Sequence, residues 1–188
     1  MTDPQAEKPA LPDVLVGPRL DLVLVTVEQL LTRADDHDGD PAPLAYDDPT
    51  DILSPENSPI RWRIPMVRED PWSNPWLIRL AIERSTGTIV GLGNFHAPPD
   101  ARGMVEIGYR VLPAHRRRGY GREIAQTMWQ YAVAHPDVRV LRASVSPDNT
   151  ASLAIVHAAG LVKVGEEWDD EDGLELVLEV AATDATLD

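Results

Sequence analysis

Three consecutive arginines, Arg116, Arg117 and Arg118, run straight into Gly119-Tyr120-Gly121 and then Arg122. Guanidinium groups hold phosphate oxygens through paired, charge-assisted hydrogen bonds. Gly119 and Gly121 let an anion approach main chain that a Cβ would shield. If a helix begins here, its first N–H groups lack acceptors and carry the positive end of the helix dipole. The chemistry on offer is the holding of a phosphate or pyrophosphate at residues 117–122. The plainer alternative is a solvated basic turn. Two other glycine-rich designs do not apply: no Lys-Ser/Thr follows, as a P-loop needs, and Gly-x-Gly-x-x-Gly is absent. A β-branched residue at Gly121 is therefore expected to block the anion without unfolding the chain.

Elements on both sides must position this turn. Upstream, Val105, Ile107, Tyr109 and Val111 alternate with Glu106, Gly108 and Arg110, the period of a strand. Pro113 ends it, having no N–H to pair. Downstream, Ile124, Ala125, Met128, Trp129, Ala132 and Val133 recur at helical spacing until His135-Pro136. The order is strand, cationic turn, helix. A second local unit follows. Asn149 is a competent N-cap for a helix over residues 150–159, with Ser152 in its first turn, and Gly160 is the expected residue just past its end.

The run Glu106-Ile-Gly-Tyr-Arg-Val-Leu-Pro, then Arg116-Arg-Arg-Gly-Tyr-Gly-Arg-Glu, resembles the acetyl-CoA motif of the GNAT acetyltransferase superfamily. Asn149-Thr-Ala-Ser152 with Ala158-Ala-Gly160-Leu161 resembles the second half of that signature. The Asn-Thr-Ala-Ser form is similar to the branch of ribosomal-protein N-terminal (RimJ/RimL-like) acetyltransferases. The resemblance covers residues 76–180, and two ordered motifs are more specific than either alone. It implies a mixed, mostly antiparallel twisted α/β sheet flanked by helices, with a V-shaped split between the strands over 104–111 and 139–145. It also implies acetyl-CoA (coenzyme A) as cofactor and transfer of acetyl directly to a primary amine, a protein N-terminus or a small cationic amine. A non-catalytic acyl-CoA-binding or sensor module on the same fold is the rival.

Such a transfer needs a base for the amine, a donor for the developing oxyanion and a donor for the leaving thiolate. By resemblance, the main-chain groups of Tyr109 and Val111 serve the acyl carbonyl and the pantetheine arm. Arg116, Arg117, Arg118, Gly119, Tyr120, Gly121 and Arg122 hold the phosphates, with Asn149 and Ser152 beside them. Glu106 is the candidate base, because it lies on the opposite strand face from Val105, Ile107 and Tyr109; a solvent-facing carboxylate is the alternative. His96 is a second candidate base, or a surface imidazole. Many relatives carry a tyrosine four residues before the glycine of the last motif. Val156 stands there in this chain, so Ser152, Asn149 or an ordered water has to stand in, and the side chain of Ser152 is the one expected.

Composition agrees with a single soluble domain: 188 residues, 43% hydrophobic and 26% charged. Net charge is −14, and no Lys or Arg occurs between Arg33 and Arg61 or after Lys163. The arginine turn is a local positive site in a negative protein. That argues against nucleic acid and for cationic amines as partners; a homodimer is left open. With no cysteine, disulfides, thiolate metal sites and a cysteine acyl-enzyme are excluded, and no metal is called for. No apolar run suits a membrane span and residues 1–13 do not read as a signal peptide, so a cytoplasmic place is expected.

Residues 1–13 read as a flexible tail, 14–180 as the domain and 181–188 as a second tail. Val14 to Val25 is expected to carry one strand. Thr26 and Gln29 form a capping box for a helix over residues 27–34. Residues 35–75 are acidic and rich in Pro and Trp; the first part is expected to be mobile, and Ile60 to Trp76 to wall the acceptor site. Residues 76–83 and 88–95 form a hairpin around Ser85-Thr86-Gly87, and residues 161–168 and 174–180 close as an antiparallel pair.

Overall fold

A computed structural model describes residues 11–171 and 173–187. Its frame is one eight-stranded sheet, in which β1 (Val14–Val16), β2 (Leu20–Leu24), β3 (Ile78–Glu83), β4 (Thr88–Phe95) and β5 (Met104–Val111) follow one another. Then come β6 (Val140–Val145), β8 (Gly173–Ala181) and, at the edge, β7 (Val162–Asp169). All neighbours are antiparallel except β5 and β6. That parallel pair is in register only over Met104–Glu106 against Val140–Arg142. Beyond Glu106 the two strands part, which is the expected split.

Each face of the sheet has its own core. On one, α3 (Tyr120–Val133) and α4 (Thr150–Ala158) pack Ile124, Met128, Trp129 and Val156 against Leu22, Phe95, Ile107 and Leu141. On the other, α1 (Val27–Leu31) and α2 (Ile60–Glu69) bring Leu30, Ile60, Ile64 and Val67 onto Ile78, Leu80, Ile89 and Leu92. Strands β3 and β4 are thus covered on both sides, which is why nearly every residue in them is buried.

Local signals set several boundaries. Thr26 accepts from the Gln29 N–H while the Gln29 side chain accepts from the Thr26 N–H, the expected capping box, although α1 stops at Leu31. Gly87, at φ +69°, turns the β3–β4 hairpin. Asn149 caps α4 by accepting the Ser152 N–H, and Gly160, at φ +89°, follows its end.

Four expectations are corrected. The single strand over Val14–Val25 is two, because Gly17-Pro18-Arg19 turns the chain and Pro18 has no N–H to pair. The tail over residues 1–13 lies outside the described residues up to 10, but its end is packed. Leu11 is buried, and Arg79, itself fully buried, donates to the carbonyls of Pro12 and Asp13. The tail over 181–188 is likewise packed as far as it is described. Thr186 N–H reaches Ala159 O, and Gln130 Nε2 reaches Leu187 O. Finally, the acidic stretch expected to be mobile is anchored in the second core by Ile52 and Leu53, with the Asp48 carboxylate accepting the Ile52 N–H at 2.8 Å. Apolar pairs inside an acidic run give local composition little weight against a waiting hydrophobic face.

Candidate active site

The alternation of hydrogen bonds along β5 decides what the split exposes. His96 N–H donates to Glu106 O at 2.8 Å and Leu112 N–H to Val90 O at 2.9 Å. Even-numbered residues of β5 therefore turn their main-chain groups to β4, and odd-numbered ones turn theirs toward β6. Since pairing with β6 ends at Glu106, the main-chain groups of Tyr109 and Val111 face the opening. Their side chains lie on the α3–α4 face, as the strand period implies.

Two clefts open from the split. One, of about 620 Å³, is lined by Tyr109, Val111, Arg116, Arg117, Gly119, Tyr120, Gly121 and Arg122, with Ser152 and Ile155 of α4 opposite. Arg117 at φ +60° and Gly119 at φ +82° are both left-handed. Backbone that alternates hand in this way turns successive N–H groups into one concavity, an anion nest at the start of α3. Arg117, being non-glycine, holds that conformation at some cost.

A buried carboxylate fixes the turn from behind. Glu123, in the first turns of α3, accepts the N–H groups of Arg19 and Leu20 at 2.5 and 2.8 Å and Arg19 Nε at 2.8 Å. The Arg19 guanidinium reaches on to Arg118 O at 3.2 Å. Tyr120 is buried and donates to Glu83 at 2.5 Å, so its hydroxyl is committed to the fold. Arg118 does not line the cleft. Gly121 does, but its lack of a Cβ serves packing. A Cβ there would sit 3.2 Å from Tyr109 Cε2 and 3.7 Å from both Ile155 Cδ1 and Val111 Cγ2. Gly121→Val would thus push on Tyr109 before it met any anion, and it does not isolate anion binding as expected.

The other cleft, of about 610 Å³, is lined by Trp62 and Arg63 of α2, His96, Gly108, Ser144, Asp169 and Glu175, among others. Through α2, the segment over residues 60–76 thus contributes Trp62 and Arg63 to this wall. None of the acids between Asp35 and Glu56 does. The acids on the wall come from the β7–β8 hairpin, whose Glu171 pairs with Arg61 of α2. Sequence reasoning missed Asp169, Glu175, Arg63 and Ser144. Only strand parity offered a signal for Ser144, which is on the same face as Arg142 and pairs across the split.

Glu106 does not itself line this cleft; it is held against His96 and Ser144, which do, with its side chain 13% exposed. Ser144 Oγ donates to Oε1 at 2.6 Å, while Oε2 is 3.9 Å from His96 Nδ1. Burial raises the Glu106 carboxyl above the usual range, against the pull of Ser144. The His96 imidazole moves the other way, to about 4, through desolvation and then the Arg63 cation. Even with 45% of its side chain open to solvent, His96 is neutral near pH 7. Of the two expected bases, the carboxylate is thus held the more basic than usual and the imidazole the less. Arg63 is nearly buried and gives two hydrogen bonds to Asn94 Oδ1, at 3.0 and 2.8 Å.

The clefts meet. Tyr109, Asn149 and Ser152 line both, and Tyr109 Oη donates to Ser152 Oγ at 3.1 Å. Val156, one turn along α4, also lines the second cleft and has no proton to give.

The site is thus a mixed sheet that parts at a parallel strand pair, with an arginine-rich, phosphate-type nest after β5 and a largely buried carboxylate at the last paired position before the split. The chain belongs to the GNAT acetyltransferase family: residues 27–162 match the family described as an acetyltransferase (GNAT) domain. It is 32% identical over 87 residues to the uncharacterized N-acetyltransferase YjdG of Bacillus subtilis, covering 46% of this chain and 50% of that one. It is 33% identical over 89 residues to YoaA of the same organism, another uncharacterized N-acetyltransferase, covering 47% and 50%. The match thus spans about half the length of these relatives. Among solved structures, a ribosomal-protein-S5-alanine acetyltransferase from Vibrio fischeri superposes with a TM-score of 0.61 at 14% identity, over 92% of this chain and 98% of that one. A spermidine N-acetyltransferase from Vibrio cholerae, solved with CoA and spermine, gives 0.54 at 10% identity, over 68% and 78%. At such identities these two show the shared fold.

GNAT acetyltransferases use acetyl-CoA. The residues here fit it: a nest of N–H groups flanked by Arg116, Arg117 and Arg122 suits a pyrophosphate, and the main-chain groups of Tyr109 and Val111 face the opening.

Proposed function

We propose that the protein is a cytoplasmic acetyl-CoA-dependent N-acetyltransferase that acts on a primary amine, either a protein N-terminus or a small cationic amine. One observation carries this. A cationic, nest-lined cleft and a second cleft, whose lining residues His96 and Ser144 contact Glu106, share Tyr109, Asn149 and Ser152 as a common boundary. The Asn149-Thr-Ala-Ser152 sequence supports the ribosomal-protein branch, and the cleft acids Asp169 and Glu175 support a cationic acceptor.

Bound in the first cleft, acetyl-CoA supplies an acetyl group activated as a thioester. The arginines and the nest hold phosphate charge, and the main-chain donors of β5 orient the arm and receive charge on the acyl oxygen. Asp169 and Glu175 draw in an ammonium group. Glu106 is the proton acceptor: Oε1 is taken by Ser144, which leaves Oε2 on the His96 side. Because Glu106 does not itself line the cleft, the amine proton reaches it through an intervening water. Ser152 Oγ–H donates to the sulfur side of the site.

Glu106→Gln keeps size and shape and removes basicity. Its turnover should fall by about 10²–10⁴, while calorimetry should show unchanged acetyl-CoA affinity. Wild-type turnover in this variant would move the base role to His96 or water. A wild type inert toward a panel of amines, monitored by mass spectrometry, would favour the acyl-CoA sensor that Val156 allows.

A further inference from the structure

The Tyr109 phenol is the one titratable side chain on the boundary of the two clefts that the mechanism above leaves without a task. Two features fix it. Its ring is seated against Gly121, where even a methyl group would come within 3.2 Å of Cε2. Its hydroxyl is 3.1 Å from Ser152 Oγ. Ser152 is fixed from the other side, because its N–H is held by Asn149 Oδ1 at 3.1 Å in the cap of α4. Main chain and hydroxyl of Ser152 thus have separate partners, and the hydroxyl takes no part in capping.

A serine hydroxyl has one proton and two lone pairs and rotates freely unless a neighbour decides which way it points. Tyr109 fills a lone pair of Ser152 Oγ, and among the described residues nothing accepts the Ser152 proton. We propose that Tyr109 is a positioning residue that locks the Ser152 rotor, so that the serine presents its proton to the boundary between the clefts, where an anionic sulfur is to be stabilised. The phenol acts through the serine. Burial holds the Tyr109 hydroxyl above its usual pKa. It therefore keeps its proton through the working pH range and is a permanent donor. A freely rotating serine would give the same hydrogen bond only part of the time. The strand thereby supplies the order that Val156, on the same face of α4 as Ser152, cannot.

This inference rests on the reading that the acyl donor's sulfur comes to this boundary, so its test includes an equilibrium arm that needs no turnover. The pKa of the thiol of bound CoA is measured by the pH dependence of CoA affinity in the wild type, Tyr109→Phe, Ser152→Ala and the double variant. An oriented donor lowers that pKa. Tyr109→Phe should raise it most of the way to the Ser152→Ala value, and the double variant should go no further. In turnover, Tyr109→Phe should lose about 5–20-fold in kcat, the worth of about one hydrogen bond, with the KM for acetyl-CoA within about twofold. In the Ser152→Ala background the same change should then have little effect. Unchanged thiol pKa in a folded Tyr109→Phe protein would overturn the proposal, as would fully additive losses. A matching loss of CoA affinity at all pH values would assign Tyr109 to packing. If the wild type proves inert with every amine, the thiol-pKa arm still decides the matter.

Discussion

At Glu106, burial and hydrogen bonding pull in opposite directions, and the balance is testable. In the proposed mechanism Glu106 works when ionised, and desolvation has raised its pKa while the Ser144 hydrogen bond lowers it. Ser144→Ala should raise it further, shifting the acidic limb of the kcat/KM–pH profile to higher pH. A limb that stays in place would separate Glu106 from the chemistry. The same raised pKa has a stability consequence. Because the folded-state pKa lies above the unfolded value of about 4.3, the ionised carboxylate costs stability at neutral pH and costs nothing once pH falls below that value. Glu106→Gln should therefore raise Tm at pH 7 even as it removes activity, and the gain should vanish at strongly acid pH. A variant less stable than the wild type at pH 7 would contradict this sign. Strand parity showed that Glu106 was off the core face of Val105 and Ile107. What it met there, His96 and Ser144, came from residues 10 positions before it and 38 after it, beyond any local pattern.

Among the elements, α3 depends on a part of the chain about a hundred residues away. Glu123 accepts two N–H groups from the β1–β2 turn, and Arg19 carries that tie to Arg118 O. Glu123→Ala leaves those donors unpaired and part-buried, which should cost about 2–4 kcal/mol. Urea denaturation reads the loss, and acetyl-CoA affinity should fall with it because the turn loses its support. Unchanged stability would make Glu123 a bystander. The caps of α1 and α4 and the glycine after α4 were legible because those signals act within a few residues. Helix α2 was not. Pro59 gives it no side-chain cap and Pro65 lies inside it, a residue that disfavours helix, so it forms by burying Ile60, Ile64 and Val67, one helical face, against the second core.

For the whole molecule, the −14 net charge surrounds a cationic turn. Long-range attraction should raise the encounter rate with a cationic amine, and kcat/KM should fall as salt rises, since the screening length is about 8 Å at physiological ionic strength. A salt-independent kcat/KM would mean that the field plays no part. The wall acids of the cleft are Asp169 and Glu175, so their replacement by Asn and Gln should weaken the salt effect more than changes among Asp35 to Glu56.

By itself the sequence determined the strand–turn–helix order around Arg116–Gly121, the capped helix after Asn149 and the hairpins, while acyl-CoA came from the resemblance of these motifs to a family. Those features depend on neighbours within one or two turns, and short-range sterics and hydrogen bonding are written in residue type. Only the tertiary structure decided that residues 35–75 close a second core, that the cleft acids come from the β7–β8 hairpin, and that Tyr109 meets Ser152. Each of these joins residues far apart in the chain, where burial of apolar surface and the divergence of β5 from β6, not local propensity, choose the partner.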